Sequence, residues 1–181
     1  MKARKIIIPI IIATILAVID QFTKYLIIKN VELHKEIPLI GDVLVISHIH
    51  NSGAAWGSLS GKIPFLLLIT AIVTIGICYI YKNIIDNPKY MPIKVCLVAI
   101  MGGAIGNLID RIRLGYVTDF IYFKIINFPL FNFADICVTV SVFVLIFLFI
   151  FKYKSEDLDV VLGDKKTKNE SGSDNSDNNE E

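Results

Sequence analysis

The sequence predicts a membrane α-helical protein with four transmembrane helices and a small extracytoplasmic β-type loop. Three observations predict it. Of the 181 residues, 54% are hydrophobic and the mean hydropathy is +0.62, too apolar for an ordinary soluble domain. Four apolar runs are each long enough to cross a bilayer: Ile6–Ile28, Ile63–Tyr81, Ile93–Ile109 and Ala134–Phe151. A helix of ~20 residues at 1.5 Å per residue spans the ~30 Å hydrocarbon core. Finally, LIGDVLVISHIH, between the first two runs, joins Gly-Asp turn chemistry to β-branched residues, which predicts a short strand or hairpin.

In chain order, MKARKIIIPIIIATILAVID imitates a secretory signal, with a basic start and an apolar middle. It lacks an A-x-A cleavage site, and apolar residues resume after Asp20, so it reads as an uncleaved first span; a cleaved signal peptide is the alternative. Pro92 suits the first turn of the third span, which is short. Gly102 and Gly106 form a G-x-x-x-G there, a pattern for close helix packing. The connection RIRLGYVTDFIYFKIINFPLFN is rich in aromatics, as at a membrane–water interface. Residues 1–154 carry a net charge of +7 and form the membrane domain; residues 155–181 carry −6, are mostly polar, and read as a disordered cytoplasmic tail. Basic residues flank both sides of the spans almost equally. The cluster Lys2, Arg4 and Lys5, abutting the first span, favours both termini in the cytoplasm.

Charged groups in a span cost about 2.5–3.5 kcal/mol at the helix centre, so those that persist pair, cap or do chemistry. Asp20 has Lys24 one turn on, an ion pair that orients the first helix. Asp110 and Arg111, adjacent in sequence and so on different helix faces, read as scaffold. Asp119 and Asp135 have no basic residue within a helical turn. Two carboxylates brought together in a poorly solvated place share one proton, and the ionised partner can then activate water while the protonated one polarises a carbonyl. Each also has a plain structural explanation. Asn132 can cap a helix with Asp135 at N3, and Asp119 can be an ordinary loop acid.

Other chemistry finds little support. His34, His48 and His50 lack a carboxylate or cysteine to complete a ligand set and read as solvated loop residues, so no metal or cofactor is expected. Cys78, Cys96 and Cys137 lie within apolar runs and form no disulfide framework. No zinc-protease, serine-hydrolase or phosphate-loop motif is present, and nothing points to nucleic acid.

Five blocks are more specific than this physics: DQFTK (Asp20–Lys24), NSGAAWG (Asn51–Gly57), GGAIGNLIDR (Gly102–Arg111), VTDF (Val117–Phe120) and FNFADI (Phe131–Ile136). In order and spacing they resemble the bacterial lipoprotein signal peptidases, or signal peptidase II, over residues 1–154. The resemblance implies an intramembrane aspartic endopeptidase that cuts diacylglyceryl-modified prolipoproteins just before the lipid-bearing cysteine. It puts the catalytic pair on Asp119 and Asp135. Asp20, Lys24, Asn51, Gly53, Asn107, Asp110, Arg111 and Asn132 fall on positions that shape the site or bind substrate. Trp56 and Ser52 stand where the family commonly has phenylalanine and threonine. The resemblance further implies a monomeric enzyme of the bacterial cytoplasmic membrane, surrounded by lipid, with its site near the extracytoplasmic face. Substrate arrives by diffusion in the bilayer, and the loop around NSGAAWG closes over it. The competing classes are a small transporter with proton- or cation-binding acids, which would show ion flux and no cleavage, and a scaffold indifferent to both aspartates.

Overall fold

A computed structural model describes residues 2–53, 58–59 and 61–163, with only the backbone of residue 2. Four helices have the length and apolarity to cross a membrane: α1 (Lys2–Asn30), α2 (Ile63–Ile84), α3 (Met91–Leu114, entered through a 3₁₀ turn at Pro88–Tyr90) and α4 (Phe133–Phe151). A short α5 (Ser155–Leu162) follows. Strands β1 (Glu36–Ile40), β2 (Leu44–Asn51) and β3 (Val117–Phe123) form one antiparallel sheet in that order.

Helix α3 is the central one. Half of its most apolar window is buried, against 11–17% for the other three spans, whose large side chains mostly face outward, toward lipid. Its glycines make the close packing possible. A Cβ at Gly102 would meet Leu16 Cβ at 2.8 Å on α1, and one at Gly103 would meet the Ala134 carbonyl oxygen at 2.5 Å on α4. At Gly106 it would lie 2.5 Å from a carboxylate oxygen of Asp20. The G-x-x-x-G pair thus faces α1, as its spacing predicts, while Gly103 faces α4.

The predicted hairpin forms β1 and β2, turning at 41–43 with Gly41 at φ +48°. Strand β3 is an addition to the sequence reading. Gly115, at φ +77°, ends α3 in the left-handed conformation, its N–H donating to the Arg111 carbonyl. The chain then enters β3 against β2, with Asp119 opposite Ile49 and Val117 opposite Asn51. The N–H groups of Phe120 and Ile121 both donate to the Phe131 carbonyl, tying β3 to the start of α4.

The sequence reading differs from the structure at residue 155, where a disordered tail is expected. Residues Ser155–Leu162 are helical instead. Asp157 is buried, and its carboxylate accepts from Lys89 Nζ, from the Tyr90 hydroxyl (2.8 Å) and from the Lys154 backbone N–H (3.1 Å). Val161 joins an apolar cluster with Ile84, Tyr90, Ile93 and Tyr153. Enough apolar surface is covered to order this turn despite its acidic composition. The rest of the tail, 164–181, lies outside the described residues.

Candidate active site

At one end of the bundle the first turn of α4, the last turns of α3 and the edge of β3 converge. Asn132 caps α4: its side-chain oxygen accepts from the Asp135 N–H, and the Asp135 carboxylate accepts from the Asn132 N–H, both at 3.1 Å. This capping box holds Asp135 at the positive end of the helix dipole. Asp119 projects from β3 and is 3% exposed.

Asparagine amides link the two acids. Asn132 Nδ2 donates to Asp119 Oδ1 at 2.7 Å, and Asn51 Nδ2 donates to Asp119 Oδ2 at 2.8 Å. Asn107 Nδ2 donates to Asp135 Oδ1 at 2.8 Å. The orientation of Asn107 is determined by its other end, where Oδ1 accepts from Lys24 Nζ at 2.8 Å and Asn132 Nδ2 at 3.1 Å. With the oxygen so engaged, the amide nitrogen must face Asp135.

Behind this layer lies a buried charge cluster. Lys24, 2% exposed, sits 2.8 Å from Asp20 and 3.0 Å from Asp110. Asp20 also accepts the N–H of Ala134 in the first turn of α4, and Asp110 that of Thr118 in β3. One lysine and two acids therefore join α1, α3, α4 and β3. The i,i+4 spacing of Asp20 and Lys24 predicts half of this arrangement; Asp110 turns to the lysine and not to its neighbour Arg111.

Asp119, Asp135, Asn51, Asn107, Arg111 and Thr139 line one cavity of about 300 Å³, with Val117 and the 128–131 segment as its apolar wall. The Arg111 guanidinium donates to the Gly53 carbonyl at 3.4 Å, and its buried Nε has no hydrogen-bond partner among the described residues. The Gly53 N–H in turn donates to Asn51 Oδ1 at 2.9 Å. Burial, and then the negative charge of Asp135, raise the Asp119 carboxyl to about 7; the amides of Asn51 and Asn132 only partly offset this. Near neutral pH the cavity therefore holds one carboxyl group, Asp119, able to keep a proton beside a second acid.

All ten residues singled out in the sequence lie in this assembly: the two acids, with Asn51, Asn107, Arg111 and Asn132 around them, Gly53 beside Asn51 and Arg111, and Asp20, Lys24 and Asp110 behind. Residues 54–57, part of the expected lid, lie outside the described residues. Sequence reasoning overlooked Gln21, which donates to Asp110 Oδ1 at 2.8 Å and to the Gly106 carbonyl at 3.1 Å. Its signal was available, as a second polar residue in the same turn as Asp20. His48 requires correction: it is buried, with Nδ1 2.9 Å from the Val31 carbonyl, while His50 stacks on Tyr116. Among the described residues no group of three or more His, Cys, Asp or Glu is arranged to hold a metal ion.

Comparison with known proteins agrees with this architecture. The family model described as signal peptidase (SPase) II matches residues 12–151. A lipoprotein signal peptidase of Brevibacillus brevis is 42% identical over 159 residues, covering 87% of this chain and 97% of that protein. One from Bacillus subtilis is 43% identical over 133 residues, covering 71% of this chain and 85% of that protein. A solved structure, described as a bacterial membrane enzyme obtained by the in meso method at 2.3 Å, superimposes with a TM-score of 0.71 at 36% identity. That match covers 78% of this chain and 87% of the other. With four apolar helices and a polar cavity at one end of them, this chain belongs to the signal peptidase II family and is a membrane-embedded peptidase.

Proposed function

We propose that the chain removes the signal peptide from diacylglyceryl-modified prolipoproteins, cutting before the lipid-bearing cysteine, and that Asp119 and Asp135 are its catalytic pair. The observation that carries the pairing is the cavity both acids line, with the buried Asn132 hydrogen-bonded to each of them. Asp135, at the N-terminus of α4, carries the pair's negative charge, and Asp119 carries its proton. Asp135 takes a proton from water as the water oxygen attacks the scissile carbonyl carbon. The carbonyl oxygen receives the proton of Asp119, giving a neutral gem-diol. Asp119 then recovers a proton from the diol as the C–N bond breaks, and Asp135 protonates the leaving nitrogen. Atoms balance without metal or cofactor, and both acids return to their starting states.

Arg111 and Asn51 face the same space and are suited to hold backbone carbonyls of the substrate. With both termini in the cytoplasm, the sheet and cavity lie at the outer face of the bacterial membrane. The scissile bond of a lipid-anchored precursor reaches the same depth there. The enzyme acts as a monomer on substrate that diffuses in the bilayer. The test is cleavage of a diacylglyceryl-modified peptide by purified Asp119→Asn and Asp135→Asn variants. Each is expected to insert normally and lose at least about 10²-fold of its activity, the lower range for a proton-transfer group. Cleavage by either variant at the parent rate refutes the pairing.

A further inference from the structure

Away from the acids, at the end of the bundle where α1 begins and α2 ends, a second and larger space opens. Helix α1 packs mainly on α3 and α4, and α2 on α3 and α5, so α1 and α2 flank α3 without packing closely on each other. Between them runs a crevice of about 480 Å³, lined by Ile6 and Ile10 of α1 and Ile77 and Cys78 of α2, and floored by Leu97 and Met101 of α3. Tyr81 crosses it near one end, its hydroxyl donating to the Lys5 carbonyl at 3.2 Å. The α2 wall extends from Thr74 to Ile85. At 1.5 Å per residue that is ~16 Å, about half of the ~30 Å hydrocarbon core. The crevice has the depth of one leaflet.

Water has almost nothing to bond to in such a space, and about 480 Å³ is less than half of what a helical peptide ~10–12 Å across would fill over that length. A single hydrocarbon chain fits. The mouth carries a cation, Lys82, which makes no ion pair among the described residues. The acid one turn on, Asp86, is occupied by Lys5 at 2.6 Å. Helix α5, with its acidic residues, docks on a neighbouring face of α2 through Asn83, which donates to the Val161 carbonyl. Lys82 can thus lay its aliphatic stem along the crevice and present its ammonium at headgroup level.

We infer that this crevice binds one acyl chain of a phospholipid with an anionic headgroup, whose phosphate Lys82 holds. The site is separate from the peptidase cavity and does not depend on the assignment of its acids. Native mass spectrometry of the full chain tests it, with phosphatidylglycerol and phosphatidylcholine of matched chains as probes. One phosphatidylglycerol is expected to be retained about fivefold more than phosphatidylcholine, the difference one lysine makes near an anionic surface. Lys82→Gln should abolish that preference while some phosphatidylcholine remains bound, and Cys78→Trp, filling the crevice, should reduce both. Both side chains lie at the bundle surface, lining the crevice and not the core, so insertion and peptide cleavage serve as folding controls. Equal retention of the two lipids, a preference that survives Lys82→Gln, or a lipid unmoved by Cys78→Trp overturns the inference. So does a dimer that Cys78→Trp dissociates, since a second copy would then be the occupant.

Discussion

Asp119 binds its proton more tightly in the folded chain than a free aspartate does, being raised from 3.8 to about 7 by burial and by Asp135. That direction sets the sign of the stability effect. Below about pH 4 both folded and unfolded chains hold the proton, and the contribution is complete; it is lost as pH rises through about 7. Thermal stability should therefore decline between about pH 4 and 7 and level off above, and Asp119→Asn should flatten that decline, which a melting series in detergent measures. If Asp119 supplies the proton to the carbonyl, kcat/KM should also fall about tenfold per pH unit above about 7. Asn107 makes a second case at this scale. Its oxygen is engaged by Lys24 and Asn132, so its nitrogen faces Asp135. Asn107→Asp would replace that donor with a third carboxylate, and peptide cleavage should drop by roughly 10², as when a positioned donor is removed from an active site. Rescue of the rate at lower pH, where the new acid is protonated, would separate this electrostatic effect from misfolding.

Elements deliver these residues, and packing between α3 and α4 determines how precisely. Gly103 lets the backbone of α4 approach: an added Cβ would sit 2.5 Å from the Ala134 carbonyl, one residue before Asp135. Gly103→Ala should cost about 1–3 kcal/mol, the usual range for overpacking, and depress cleavage because α4 must shift. Gly76→Ala on α2, where the added carbon would meet no other element or side chain within 4 Å, is the matched control: it should leave cleavage unchanged and stability the same or higher, by up to about 1 kcal/mol from helix propensity. Thermal denaturation and peptide cleavage of the two variants provide the comparison. The spans themselves are legible in the sequence because lipid-facing surfaces leave long apolar runs. The third is longer than its apolar run, reaching Leu114, because Asp110 and Arg111 turn inward and end the run at Ile109 without ending the helix. Strand β3 is hidden for a related reason. Val117, Thr118, Asp119 and Phe120 are all buried, so the alternation that marks a half-exposed strand is missing.

Across the whole molecule, polar contacts are distributed at both ends of an apolar bundle. At one end, Lys24 neutralises acids from two helices, a link between α1 and α3 that no local spacing announces. Only the i,i+4 half, Asp20 with Lys24, is readable in the sequence. At the other end, Asp157 joins α5 to the start of α3 through Lys89 and Tyr90, whereas composition alone assigns this segment to disorder. The contact with Lys89 holds the Asp157 carboxyl down to about 2, below the 3.8 of a free aspartate. Its contribution is thus present above about pH 4 and lost only as pH falls toward 2. Because Lys89 is 55% exposed, the ion pair is screened, and the buried Tyr90 hydroxyl bond and the packing of Val161 share the work of docking α5. Asp157→Ala removes the acceptor of both bonds and that of the Lys154 N–H at the start of α5 together. It should free α5 and speed tryptic cleavage at Lys152 and Lys154 about tenfold, a loss of protection equivalent to ~1.4 kcal/mol of local opening. Peptide cleavage should stay at the parent rate, since Asp157 and the Asp119–Asp135 cavity lie at opposite ends of the bundle. Equal protease resistance at Lys152 and Lys154 in the parent and the variant would mean that α5 is held by its apolar face alone.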